Sequence, residues 1–182
     1  MSANDLNLLS WNARSLYNKL GNFKIKLYKY KPHVACITET WLKNNREPYF
    51  CNYDKYLCNR TANVGGGIAI LVRRDLINVP MALTPFQNGM LEIQAVSIKC
   101  FNKSLQIVNV YNPNKEVSVD EFEHYFSQLS PPFIITGDFN AHHPIWDTRR
   151  VSNPCGRNLV DVLRNNSEIC LLTPQNLSTY HH

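Results

Sequence analysis

Apolar and polar positions alternate along the chain in short blocks, and each block predicts one element. Leu6 to Trp11 is an apolar run too short for a buried helix, so it reads as a strand ending at Asn12. Leu16, Leu20, Phe23, Leu27 and Tyr30 then recur at spacings of four and three, the repeat of one helix face. Pro32 ends that helix, because proline lacks an amide donor and disfavours helical geometry in the residue before it. Val34 to Thr38 follows as a second strand.

Gly65, Gly66 and Gly67 open a strand over Ile68 to Val72. Leu91, Ile93 and Ala95 alternate ahead of Val96 and Ile98, which predicts another, and Leu105 to Val110 is the clearest strand. Ser118 with Glu121 three residues on forms a capping box at a helix start, and Val119, Phe122, Phe126 and Leu129 supply that helix's apolar stripe. Pro131 and Pro132 stop it. Phe133 to Thr136 extends again, Gly156 to Asn165 reads as helix, and Ile169 to Leu172 as a last strand. Residues 44–63 and 112–117 read as loops. Strands interleaved with helices, without a repeat or linker, predict a single α/β domain over residues 1–182.

Composition narrows the picture modestly. At 182 residues and 44% hydrophobic content the chain can bury a core, and no apolar run reaches the roughly 18–20 residues that cross a bilayer, so no membrane partner is expected. The first residues lack the basic flank and apolar stretch of a secretory signal, which predicts an intracellular protein. Six cysteines without a CxxC pair are expected as reduced thiols, and the N-x-S/T triplets at Asn59, Asn102, Asn165 and Asn176 as chance. Lys and Arg outnumber Asp and Glu by 19 to 14. Between Asp5 and Glu39 there is no acid, while Arg14, Lys19, Lys24, Lys26, Lys29 and Lys31 fall there, giving either a positive field for a polyanion or a solvated helix face.

Candidate chemistry gathers where strands finish. Trp11 gives way to Asn12, Thr38 to Glu39, Val110 to Tyr111 and Gly137 to Asp138, and in α/β sheets ligands collect at such ends because the sheet fixes each emerging side chain. A carboxylate after an apolar strand needs a cation or good hydrogen bonds. Mg²⁺, which takes oxygen ligands from one or two carboxylates plus water, suits Glu39 with the amide oxygen of Asn12; an ion pair with Arg or Lys is the plainer alternative. In extended chain Asp138 and Asn140 would share a face and hold one water in line with phosphorus, although Gly-Asp-x-Asn is equally good turn chemistry. Tyr111 could donate to a phosphate oxygen, and of the adjacent His142 and His143 at most one is expected to act. The three glycines do not form a phosphate loop, since no Lys-Ser or Lys-Thr pair follows.

Five stretches, Ser10-Trp11-Asn12-Ala13-Arg14-Ser15-Leu16, Ile37-Thr38-Glu39-Thr40-Trp41-Leu42, Gly65-Gly66-Gly67-Ile68-Ala69-Ile70-Leu71, Val108-Asn109-Val110-Tyr111-Asn112-Pro113 and Gly137-Asp138-Phe139-Asn140-Ala141-His142-His143, together resemble the endonuclease/exonuclease/phosphatase superfamily. The likeness is nearest to endonuclease domains of LINE-type, jockey-like retrotransposons. The resemblance implies a four-layer α/β sandwich of two facing mixed sheets flanked by helices. It also implies dependence on Mg²⁺, with Mn²⁺ as a substitute, and nicking of target DNA ahead of a downstream reverse transcriptase, which would be nuclear work on chromosomal DNA. By position it assigns Asn12 and Glu39 to the metal, Tyr111 to the scissile phosphate, and Asp138, Asn140 and His142 to catalysis. Arg14, where repair-type relatives carry an acid, joins Arg149 and Arg150 as a candidate DNA-backbone contact.

The family pattern continues with an Asp-bearing strand and a Ser-Asp-His segment that supplies a general base, and neither occurs here. The expectation is therefore a C-terminally incomplete domain with weak or absent nuclease activity, since losing a general base costs about 10²- to 10⁴-fold. A catalytically silent nucleic-acid- or protein-binding remnant is the alternative, and a phosphatase acting on a small substrate is a third reading.

Overall fold

The computed structural model describes residues 5–43, 47–60, 65–100 and 102–177. They divide into two compact units, one formed by residues 1–83, 91–111 and 129–138 and the other by 84–90, 112–128 and 139–182.

The first unit holds every strand. Its first sheet contains β1 (Leu8–Asn12), β2 (Val34–Thr38), β3 (Tyr53–Cys58) and β4 (Ile68–Arg73) in the order β1-β2-β4-β3, with β1 parallel to β2 and the other pairs antiparallel. Its second sheet contains β5 (Asn78–Met81), β6 (Glu92–Cys100), β7 (Lys103–Tyr111) and β8 (Phe133–Asp138) in that order, antiparallel except for β7 and β8. Both sheets are mixed, in agreement with the expected α/β class.

β2 is buried at all five positions because it has a layer on each face. Val34 and Cys36 point between the sheets, where they pack with Ile70, Val72, Val96, Ile98 and Ile107. Ala35 and Ile37 point outward under α1 (Leu20–Tyr30), against Phe23 and Leu27. Period two in the strand thus meets period 3.6 in the helix. Each fully buried Ile, Leu or Phe contributes about 1.5–3 kcal/mol. A buried amide ties the sheets together: Asn109 of β7 donates its Nδ2 to Ile37 O at 2.9 Å and Ala69 O at 3.1 Å. That clamp lies two residues before Tyr111 and fixes the end of β7 against the first sheet.

The second unit is built on α2 (Val119–Phe126) and α3 (Pro154–Asn165). Ser118 accepts from Glu121 N at 3.1 Å, as its capping spacing predicts. The Glu121 carboxylate, 3% exposed, also accepts from Met90 N at 2.7 Å and pins the 84–90 loop to α2. At α3 the N-cap is Asn153, whose Oδ1 accepts from Gly156 N, with Pro154 where a missing amide costs nothing.

Two departures from the sequence reading concern strands. Ile169 to Leu172, expected as a strand, is irregular and largely exposed, because nothing pairs with it among the described residues. Tyr53–Cys58 lies within a stretch read as loop yet forms β3, and β5 escapes the pattern altogether. Both are edge strands carrying Asp54, Lys55 or Pro80, residues that an edge tolerates and that blur an apolar alternation. No described helix is long and apolar enough to cross a membrane.

Candidate active site

The parallel pairings place three strand ends at one level. Asn12 is in register with Thr38, the residue before Glu39, and Tyr111 with Asp138. One amide joins the two sheets there: Asn12 Nδ2 donates to Glu39 Oε1 at 2.6 Å and to Asp138 Oδ2 at 2.6 Å. The two carboxylates therefore face one nitrogen, and their nearer oxygens cannot be farther apart than twice that bond. Asn12 Oδ1 is turned away and accepts from Arg14 N at 3.1 Å. The amide presents its nitrogen, not its oxygen, to the acids, so it fastens them together; offering oxygen there would require the amide to turn over and give up Arg14 N.

Close approach of β7 to β8 makes the pairing with Tyr111 work. Gly137 has φ +136°, and a Cβ on it would lie 1.9 Å from Val110 O. Only glycine fits, and the next register pair is Tyr111 with Asp138. Burial, followed by the charges of Glu39, Glu92 and Asp138 against that of Arg60, pushes the Tyr111 phenol up to about 12. Tyr111 is thus a neutral hydrogen-bond donor at any physiological pH.

Glu39 itself sits in a left-handed backbone, φ 51°, and so does Trp41 at 54°. For residues other than glycine this conformation costs about 1–3 kcal/mol each and persists only where the surroundings impose it. Here the glycine turn imposes it: Thr40 N donates to Gly67 O at 3.0 Å and Trp41 N to Gly66 O at 2.9 Å. Glu92 in turn holds the turn, accepting Gly67 N at 2.7 Å and Arg60 Nε at 2.6 Å. Sequence reasoning passed over Glu92 and Arg60. The available signal was a carboxylate at the start of a strand, but its partner in sequence lay in a stretch read as loop.

The remaining predicted residues belong to the second unit. Asn140 has φ 45°, so strand geometry stops before it, and the shared-face argument for Asp138 and Asn140 does not hold. Asn140 Nδ2 donates to Asn112 O at 2.7 Å, and its carbonyl accepts from Asn153 Nδ2 at 2.8 Å. His142 N donates to Asn153 Oδ1 at 2.9 Å. His143 has a local structural role, its Nδ1 accepting from Ile145 N at 3.1 Å and its ring lying 5.5 Å from that of Trp146. Arg149 is paired with Asp147 at 2.8 Å, and Arg150 lies 4.0 Å from the same acid. The Arg149 hydrogen bond holds the Asp147 carboxyl below the usual range. Two exposed guanidinium groups against one carboxylate leave a net positive spot.

Comparison with known proteins agrees with this arrangement. A family model described as "Endonuclease-reverse transcriptase" matches residues 105–182. The RNA-directed DNA polymerase from mobile element jockey of Drosophila melanogaster is 31% identical over 155 residues, which is 84% of this chain and 17% of that protein. Among solved structures, the endonuclease domain of TRAS1, a telomere-specific non-LTR retrotransposon, aligns with a TM-score of 0.69 at 19% identity, covering 87% of this chain and 71% of that one. The chain belongs to the endonuclease/exonuclease/phosphatase superfamily. An AP endonuclease from Archaeoglobus fulgidus shares this superfamily domain's fold, with a TM-score of 0.60 at 15% identity over 88% of this chain and 71% of that chain. The chain spans less than a fifth of the length of the curated relatives it matches.

Divalent metal use goes with the superfamily, and the donor set fits it. Glu39 and Asp138 supply two carboxylates around one point, and Glu39 is partnered by the Asn12 amide rather than by an Arg or Lys. No group of three or more His, Cys, Asp or Glu gathers among the described residues. Two carboxylates completed by water and phosphate match a hard cation such as Mg²⁺ better than zinc, which asks for nitrogen and sulfur.

Proposed function

We propose that this chain is the DNA-nicking endonuclease domain of a LINE-type retrotransposon polyprotein, using Mg²⁺, with Mn²⁺ as a substitute. The supporting observation is the single Asn12 amide that fastens Glu39 and Asp138 together beside neutral Tyr111. Glu39 and Asp138 would hold the cation, which supplies positive charge to a phosphate and its departing oxygen. Asp138 orients the attacking water and accepts its proton. Tyr111 donates to a non-bridging phosphate oxygen, an interaction that strengthens as charge grows there. Asn140 and His142 complete the contacts to the reacting phosphate, and Arg14, Arg149 and Arg150 neutralise the flanking backbone. The partners of this reading are DNA and a downstream reverse transcriptase of the same polyprotein, and its compartment is the nucleus.

The test is conversion of supercoiled plasmid to nicked circles with protein in excess over DNA, alongside calorimetric titration with Mg²⁺. Nicking that requires the metal and is lost in Glu39→Gln and Asp138→Asn is the expected result. Equal nicking by both variants, or no heat of Mg²⁺ binding, overturns it.

A further inference from the structure

The end of the first sheet away from the Asn12 cluster carries a feature that nicking does not use. The register puts Val34, Val72 and the Tyr53–Arg73 pair at that end, about 13 Å from Thr38 along β2. There, a concavity of about 440 Å³ opens between the last turns of α1 and residues 49–53. Leu27 and Phe50 form its apolar floor, and Lys24, Tyr28, Lys31 and Tyr49 its rim. A second hollow of about 320 Å³ shares Tyr49, so that ring stands between two concavities.

Two rim features are unusual together. Tyr28 is 81% and Tyr49 65% exposed, leaving two large aromatic faces in water. Cations surround them: α1 bears Lys24, Lys26 and Lys29 without an acid, and the Lys31 ammonium lies 5.8 Å from the Tyr28 ring centre. Arg73 at the border is already paired with Asp75, so the lysines carry the charge. A solvated helix face accounts for lysines but not for exposed tyrosines. A protein interface accounts for tyrosines but is depleted in lysine. Duplex DNA hides its base faces, whereas a single strand offers both stackable bases and phosphates.

We infer that this groove binds single-stranded polynucleotide, bases stacking on Tyr28 and Tyr49 while Lys24 and Lys31 meet the phosphates. The inference rests on no part of the nicking reading. It is tested by fluorescence anisotropy of the full chain with labelled oligo-dT, oligo-rU and a duplex of equal length. The Tyr28→Ala/Tyr49→Ala double variant should bind single strands at least about tenfold more weakly, while duplex affinity and plasmid nicking stay unchanged. Lys24→Ser/Lys31→Ser should flatten the salt dependence by about one unit of slope. Tighter binding of oligo-rU assigns the groove to RNA, tighter binding of oligo-dT to DNA. All four residues are exposed, so circular dichroism melts matching the parent's exclude misfolding as the cause. A tyrosine variant that binds single strands within twofold of the parent, or loses duplex affinity in parallel, overturns the inference.

Discussion

Glu39→Gln separates the electrostatics of the carboxylate pair from its hydrogen bonding. The amide keeps an oxygen for Asn12 Nδ2 to donate to, so the bond now 2.6 Å long survives while one of two negative charges goes. Through the shared nitrogen the carboxylates lie about 5 Å apart, where unit charges repel by about 3 kcal/mol at an effective dielectric of 20. Both groups are half-buried, and water reduces this to about 1 kcal/mol. Without metal the variant should therefore melt no lower than the parent and up to about 2–4 °C higher. With Mg²⁺ at tenfold its dissociation constant, the parent gains about 1.4 kcal/mol, or roughly 3–6 °C, and the variant gains nothing. The order of melting temperatures reverses when the metal is added, which scanning calorimetry with EDTA and then Mg²⁺ reads directly. A variant that melts below the parent in EDTA, or gains the same increment from Mg²⁺, refutes the reasoning.

Further outcomes follow from the same geometry. Gly137→Ala drives a Cβ to 1.9 Å from Val110 O and should cost about 3 kcal/mol or more, seen as a large drop in melting temperature or loss of soluble protein. In metal-free protein, Tyr111 titrates near 12 against an ordinary 10, so the folded state holds its proton more tightly than the unfolded chain. The stability contributed by this group is intact below pH 10 and falls away as pH rises towards 12. Ultraviolet difference titration should show that step vanish in Tyr111→Phe, and its persistence there would place the titration elsewhere. Native protein should expose Cys51, Cys58 and Cys170 to a thiol reagent while Cys36, whose thiol burial pushes up to about 12, reacts only on unfolding. Fast modification of Cys36 would contradict its place between the sheets.

The elements that sequence pattern revealed are those whose reasons are local. β2 and β4 are apolar on both faces because each is an inner strand, and a continuous apolar run needs no partner to be read. β3 and β5 owe their strand character to one neighbour apiece, so their charged and proline residues look like loop until that neighbour is known. The site divides in the same way. Strand ends located Asn12, Glu39, Tyr111 and Asp138, since each follows an apolar run. The further assumption that alternation continues to Asn140 fails because a single left-handed residue resets the chain direction, and nothing in a turn-forming Gly-Asp-x-Asn stretch distinguishes strand from turn. The Asn12 amide makes the sharper case. An asparagine beside a carboxylate can offer either oxygen or nitrogen, and the choice is set by the Arg14 amide, which claims the oxygen from a backbone at φ 41°. With the oxygen taken, Asn12 becomes the donor that lets two acids stand together before any cation arrives. A metal-free protein can then keep its site assembled without paying the full repulsion between Glu39 and Asp138, a property that depends on one backbone amide two residues downstream.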